Sequence, residues 1–219
     1  MSKPLRIDFV SDVSCPWCAV GLASLQAAMA RVPEVTVDLH FQPFELNPNM
    51  PAEGQNSMAH IAAKYSIGFD EVTRNREHIR ERGAELGFKF NMDQESRVYN
   101  TFDAHRLLHW AGTVGASLQL TLKRNLLSAY FSDNEDVSDC ETLIRIASES
   151  GLDPVMAAQV VDSDRYAADV RTSEAYFRDH GIASVPAIII DNQHLISGGQ
   201  PPDVFERALR ELSHVVPND

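Results

Sequence analysis

An α/β fold interrupted by a large α-helical insertion is what this sequence predicts, and three observations carry the expectation. A strand, a helix and a second strand follow one another in residues 5–46. Helical periodicity then dominates from 56 to about 180, and a β-hairpin with one more helix closes the chain. Neither β half can bury both faces of a sheet alone, so the two are expected to join into one.

In LRIDFV (5–10), Leu5, Ile7 and Phe9 share one face and Val10 makes the other partly apolar, the pattern of a strand. Residues 16–31 carry Val20, Leu22, Leu25, Ala28 and Met29 at helical spacing, and Pro33 stops the run. EVTVDLHFQPFEL (34–46) alternates, with Val35, Val37, Leu39 and Phe41 facing one way. Strand, helix and strand so closely spaced form a βαβ unit, which predicts parallel pairing. Helical patterns follow over 56–68, 69–87, 97–115 and 117–131, each ending at glycine or a polar break. SDCETLIRIASESG (138–151) has Ser138 or Asp139 as N-cap and Gly151 as stop, and DPVMAAQVV (153–161) pairs Asp153 as cap with Pro154 at the first helical position. The acidic stretch at 132–139 reads as a solvated loop. An amphipathic helix over 164–180 ends at Gly181. SVPAIIID (184–191) and HLISG (194–198) then form a hairpin about Asn192-Gln193. A closing helix over 201–214 starts with two prolines and presents Val204, Phe205, Leu209 and Leu212 on one side. Residues 1–55 and 165–219 are therefore expected to build the sheet domain, and 56–164 the insertion.

The chain has 219 residues, 44% of them apolar, enough for a sizeable core. A formal net charge of −12 sets nucleic acid aside as a partner. MSKPLRIDFVSD has no apolar run of the secretory kind, and no stretch is long and apolar enough to span a membrane. The expectation is a cytoplasmic protein. Three cysteines do not make a disulfide scaffold in such a chain, and a CxxC pair there is more often catalytic or metal-binding than structural.

That pair is Cys15 and Cys18 in SDVSCPWC. Helix 1 starts near Pro16, so Cys15 stands at its N-terminus, where unpaired N–H groups and the positive end of the helix favour a thiolate. Cys18 is one turn further and close enough to bridge. A zinc site would need further ligands, for which His105 and His109 have suitable spacing, yet they lie within a long amphipathic segment. A disulfide closing so short a loop stabilises little. Redox exchange is the favoured reading. Pro186, read alone, is an ordinary trans proline opening a strand.

The order D-x-x-C-P-W-C, helical insertion, Val-Pro and then SGGQ resembles the thioredoxin superfamily, and more narrowly the DsbA-like oxidoreductases of the FrnE type. PFELNP (43–48), NTFDAHRLLHWA (100–111) and ISGGQ (196–200) extend the resemblance along nearly the whole chain. It implies a thioredoxin-like fold and a protein-disulfide oxidoreductase, with Cys15 the nucleophile and Cys18 the resolving thiol. It further implies a cis peptide bond at Val185-Pro186, opposite the cysteines, whose backbone pairs with an extended substrate. Pro16 and Trp17 would tune or shield the sulfurs or line a groove. No metal or organic cofactor is implied; glutathione or a polypeptide disulfide is the expected partner, and pairing into a homodimer is left open. A second resemblance is to kappa-class glutathione transferases and 2-hydroxychromene-2-carboxylate isomerases, which carry serine at the first cysteine. For these, Asn47, Ser197, Gly198, Gly199 and Gln200 are pocket elements, and the last helix's N-terminus would hold a carboxylate. Of the other candidates, His105 is expected to be structural, Asp12 to cap its turn, and Cys140 to be a buried apolar residue without a redox partner.

Overall fold

Alternating apolar residues in the first strand seed the sheet in the computed structural model, which describes residues 4–213. Met1–Lys3 and the end of the chain from His214, the last position expected in the closing helix, lie outside the described residues. The first strand, β1 (Leu5–Ser11), is followed by helix α1 (Pro16–Arg31) and strand β2 (Val37–Pro43). β1 and β2 run parallel, in register from Leu5↔Val37 to Ser11↔Pro43, as the βαβ reading requires. The second strand is shorter at both ends than the alternation of 34–46 suggests. Val35 is held in a turn by its N–H bond to Val32, and after Pro43 the backbone N–H groups of Glu45 and Leu46 turn to Glu174 and Asp12.

The helical stretch contains α2 (Ser57–Tyr65), α3 (Phe69–Glu85), α4 (Phe102–Val114), α5 (Ala116–Phe131), α6 (Cys140–Glu149), α7 (Pro154–Val161) and α8 (Ala167–Asp179). Asp139 and Asp153 cap α6 and α7 through their carboxylates, bonded to the N–H groups of Thr142 and Val155. Three expectations are corrected here. Residues 97–98 are not helical: they form a two-residue strand, β4, antiparallel to β3 (Gln55–Asn56), and α4 starts only after Asn100 accepts the N–H of Phe102. α8 starts at Ala167, because the Arg106 guanidinium gathers the carbonyls of Val160, Val161, Ser163 and Arg165 into the turn before it. In the acidic loop, Val137 is fully buried and Glu135 pairs with Arg145.

Strands β5 (Ala187–Ile190) and β6 (His194–Ser197) form the expected hairpin, but β5 starts only after Pro186, and the turn centres on Asp191 and Asn192, both at positive φ, one residue earlier than Asn192-Gln193. β5 joins β1 antiparallel, giving one four-stranded sheet in the order β2-β1-β5-β6. The closing helix, α9 (Pro202–Leu212), packs on α1 through Phe205 and Leu209. β2 is an edge strand, and α5 covers that edge. The Gln119 side-chain oxygen accepts the Phe41 N–H at 3.0 Å, and its amide donates to the Phe41 carbonyl at 3.1 Å, so one glutamine stands in for a neighbouring strand. A single hydrophobic cluster runs from Ile7, Phe9 and Leu25 in the βαβ unit to Leu107, Leu122 and Leu126 in α4 and α5. The architecture is that of an α/β thioredoxin fold with a helical insertion.

Candidate active site

Because β5 runs antiparallel to β1 (Val10↔Ala187), the start of β5 lies beside the end of β1. Val185 and Pro186 therefore face the loop that leads into α1. Cys15 is the N-cap residue of α1, in extended conformation, with Pro16 at the first helical position. No side chain caps that end and no acid stands in its first turn, so the positive end of the helix is left to the sulfur. The Cys15 thiol donates to the Val185 carbonyl, Sγ to oxygen 3.6 Å, and the Val185–Pro186 bond is cis. Cys15 and Cys18 are both free thiols. Cys18 is fully buried, which pushes its pKa well above the ordinary thiol range, and the neighbouring Cys15 pushes it further.

Three titratable side chains, Asp12, His105 and Lys123, are buried behind the pair. Asp12 is completely enclosed. Burial pushes its carboxyl up, but His105, the Leu46 N–H at 2.7 Å and Thr101 outweigh that and bring its pKa to about 2. It also accepts the N–H and hydroxyl of Ser14, which makes it the cap of the turn before α1. His105 Nε2 sits 3.4 Å from Asp12 Oδ1 and is buried with it. Lys123, on α5, is fully buried as well, and among the described residues its ammonium has no hydrogen-bond partner.

In front of the sulfurs a cleft of about 1060 Å³ opens between the sheet and the helices of 56–164. Cys15, Pro16, Trp17, Asn47 and Val185 line it together. The Asn47 side-chain oxygen accepts from Lys64 Nζ at 2.8 Å and lies 3.0 Å from His60 Nε2. Trp17 packs against His78 of α3, ring centroids 5.6 Å apart. Pro186, Gly198, Gly199 and Gln200 are not on the cleft wall but behind it. A Cβ on Gly199 would stand 3.0 Å from the Trp17 carbonyl oxygen, and one on Gly21 would stand 3.1 Å from Pro186 Cγ, so both glycines permit close packing behind the site. Gly198 closes the loop by donating its N–H to the Pro186 carbonyl at 2.8 Å, and Gln200 bonds back to the Ser197 carbonyl. The start of α9 is Pro201-Pro202, which lack N–H donors, followed by Asp203 paired with Arg31 at 2.6 Å; this is a poor place for a carboxylate ligand.

Cys140 is exposed, contrary to the expectation of burial. It stands at the first position of α6, directly after its cap, where the side chain lies outside the apolar stripe formed by Leu143, Ile146 and Ala147. His109 packs on the Tyr166 ring. Sequence reasoning missed Lys123 and Lys64. The signal for Lys123 was present: it sits in the stripe Gln119, Leu122, Leu126, Leu127 and Tyr130, whose spacing is that of a core face. A lysine there has no exit to water.

Comparison with known proteins agrees with this geometry. A crystal structure from Streptomyces coelicolor, titled probable DsbA oxidoreductase SCO1869, superposes with a TM-score of 0.89 at 29% identity, covering 98% of this chain and 93% of that one. The cytosolic disulfide reductase DsbM from Pseudomonas aeruginosa, solved with GSH, has the same fold, with a TM-score of 0.64 at 17% identity over 96% of this chain and 100% of the other. The uncharacterized protein YwbO from Bacillus subtilis is 24% identical over 208 residues, 94% of this chain and 96% of that protein. Residues 6–210 match the DSBA-like thioredoxin domain, so nearly the whole chain is accounted for by one family, and the protein is a member of it.

Proposed function

We propose that this protein is a thiol-disulfide oxidoreductase that exchanges the Cys15–Cys18 dithiol and disulfide with a substrate. The observation that carries the reading is the placement of two thiols at the N-terminus of α1, one bonded to the Val185 carbonyl at the cleft wall and one enclosed behind it. In the reducing direction the Cys15 thiolate attacks a substrate disulfide, forming a mixed disulfide and releasing one substrate thiolate. Cys18 then gives up its proton and attacks Cys15 Sγ. The bond to the substrate sulfur breaks, the second thiolate leaves, and the enzyme holds the disulfide with the substrate reduced by two electrons. The oxidising direction is the reverse. The sulfurs carry the electrons, so the exchange requires no metal or organic cofactor.

The partner in this reading is a glutathione or polypeptide disulfide. Support comes from the size of the cleft, from Lys64 and Asn47 beside Cys15, and from the binding of GSH by the similarly folded DsbM. Two cysteines, rather than the single serine of the transferase and isomerase relatives, and a proline-blocked α9 N-terminus favour exchange over glutathione conjugation.

The test is a titration through glutathione redox buffers with free thiols counted by mass tagging. A two-electron transition between about −270 and −120 mV is expected. Cys15→Ser should abolish exchange, whereas Cys18→Ser should accumulate mixed disulfides. Full activity in Cys15→Ser would overturn the assignment.

A further inference from the structure

The chain carries a net charge of −12, yet the wall of the cleft leans the other way. Of its carboxylates, Glu45 is bonded by Arg171 and Glu135 by Arg145, two arginines that stand outside the lining; Glu71 has no such partner among the described residues. Of its cations, Arg178 reaches Glu174 only at 3.9 Å. Lys64, Arg76 and Arg97 pair with no carboxylate among the described residues, and donate instead to backbone carbonyls, to the Asn47 amide oxygen and to the Ser57 hydroxyl. A concave wall with unmatched positive charge concentrates anions.

Arg76, on α3, stands apart from the other two because it is only 7% exposed and still unpaired. A guanidinium stays charged when buried, and a buried charge without a counter-charge is costly. Nη1 donates to the Asp93 carbonyl at 2.9 Å and Nη2 to the Ser57 hydroxyl at 3.0 Å, which leaves three of the five N–H groups, Nε–H included, without an acceptor among the described residues. Acids close by in the chain are engaged elsewhere: Asp93 bonds Ser96 and Asn134, and Glu77 pairs with Arg80. Tying α3 to the loop at Asp93 requires a donor but no charge, so the bonds present do not account for an arginine.

We propose that Arg76 is an anion subsite of the cleft and takes a carboxylate carried by the disulfide substrate, through the N–H groups that the fold leaves free. Charge-assisted bonds from a guanidinium to a carboxylate are strong and directional, and the substrate supplies the counter-charge that the fold withholds. The proposal deepens the thiol-disulfide reading above and rests on it for the reacting group of the substrate. The class it names is the acidic disulfide: glutathione disulfide, or a polypeptide disulfide with Asp or Glu near the cysteine. Arg76 and Cys15 line the same cleft, so one molecule can meet both.

Arg76→Gln removes the charge and keeps an amide donor for the Asp93 carbonyl. Two pairs of substrates read its effect: glutathione disulfide against its fully esterified form, and a peptide disulfide flanked by glutamate against the same peptide flanked by glutamine. The variant should lower kcat/KM about tenfold or more, through KM, for the acidic member of one or both pairs, and less than about twofold for the neutral member. The pair that responds identifies the source of the carboxylate. An equal fall within both pairs would mark a structural clamp, and no fall in either an idle arginine; each overturns the proposal. A second measurement needs neither turnover nor a variant. S-methylglutathione, a thioether that cannot exchange, or an S-alkylated form of the glutamate peptide should shift the Arg76 Nε–H resonance of the wild-type chain, and their neutral counterparts should not. No shift with either acid overturns the proposal too. A wild-type chain without any dithiol couple in redox buffers would sink the thiol-disulfide reading itself, and the resonance would still decide the subsite; a working couple indifferent to Arg76 sinks only the subsite.

Discussion

Asp12 shows how a carboxylate can be buried and still ionised. Three hydrogen bonds, from the Leu46 N–H and from the N–H and hydroxyl of Ser14, converge on its two oxygens, and with the His105 imidazole 3.4 Å away they outweigh the cost of desolvation. The sign of the resulting pH dependence follows. Its folded pKa, about 2, lies below the ordinary value of 3.8, so the stabilisation is complete above about pH 4 and disappears as pH falls through 2. A shift of that size corresponds to about 2 kcal/mol. Asp12→Asn should therefore lower the unfolding free energy by about 2 kcal/mol at pH 7, measured by urea denaturation, and the gap to wild type should narrow toward pH 2. An undiminished gap at pH 2 would show that shape, not charge, holds Asp12. The carboxylate was recognisable from sequence as a turn cap beside Cys15. Its partners His105 and Leu46 were not, since they lie 93 and 34 positions away.

At the scale of elements, the exposed edge of β2 is managed by one side chain. Gln119 bonds both the N–H and the carbonyl of Phe41, in a buried setting where neither group reaches water. The approach is close: a Cβ at position 112 of α4 would come within 2.7 Å of the Gln119 amide nitrogen. Gln119→Leu should cost about 2–4 kcal/mol, since each orphaned buried group costs about 1–3 kcal/mol. Guanidinium unfolding of the purified variant measures this, and a loss below about 0.5 kcal/mol would mean the edge is satisfied in another way. Behind the site, Gly199 is a second point of contact between elements. Gly199→Val should displace Trp17 and destabilise the fold by about 1–3 kcal/mol, visible as altered tryptophan fluorescence together with a lower urea midpoint. Helix and strand periods were readable here because they repeat over several turns. The two-residue strands β3 and β4 were not, since so short a segment has no period and exists only through its partner.

For the whole molecule, the cleft is made by two parts of the chain that are far apart in sequence. The start of α1 and the turn before β5 supply Cys15, Trp17 and Val185; the helices of 56–164 supply Ile61, Lys64 and Ile79. Ile61→Trp, which narrows the far side, should reduce kcat/KM for a bulky glutathionylated peptide about tenfold, roughly 1.4 kcal/mol, and leave oxidation of a small dithiol such as dithiothreitol unchanged. Equal loss for both substrates would place the effect on the sulfurs rather than on the cleft.

By itself the sequence determined the α/β class, the order of elements, the joining of two β halves and the position of Cys15 at the start of a helix. Each of these follows from local period, capping or chain connectivity, which a linear string contains. Only the tertiary structure decided which side chains share the interior behind Cys18, that Cys140 faces outward, and that Gly199 packs against Trp17 from behind the cleft. Those outcomes depend on how helices cross and strands register over separations of tens to more than a hundred residues. No local pattern encodes them: the same apolar stripe that buries Leu122 buries Lys123, and only the packed neighbours show which charges it meets.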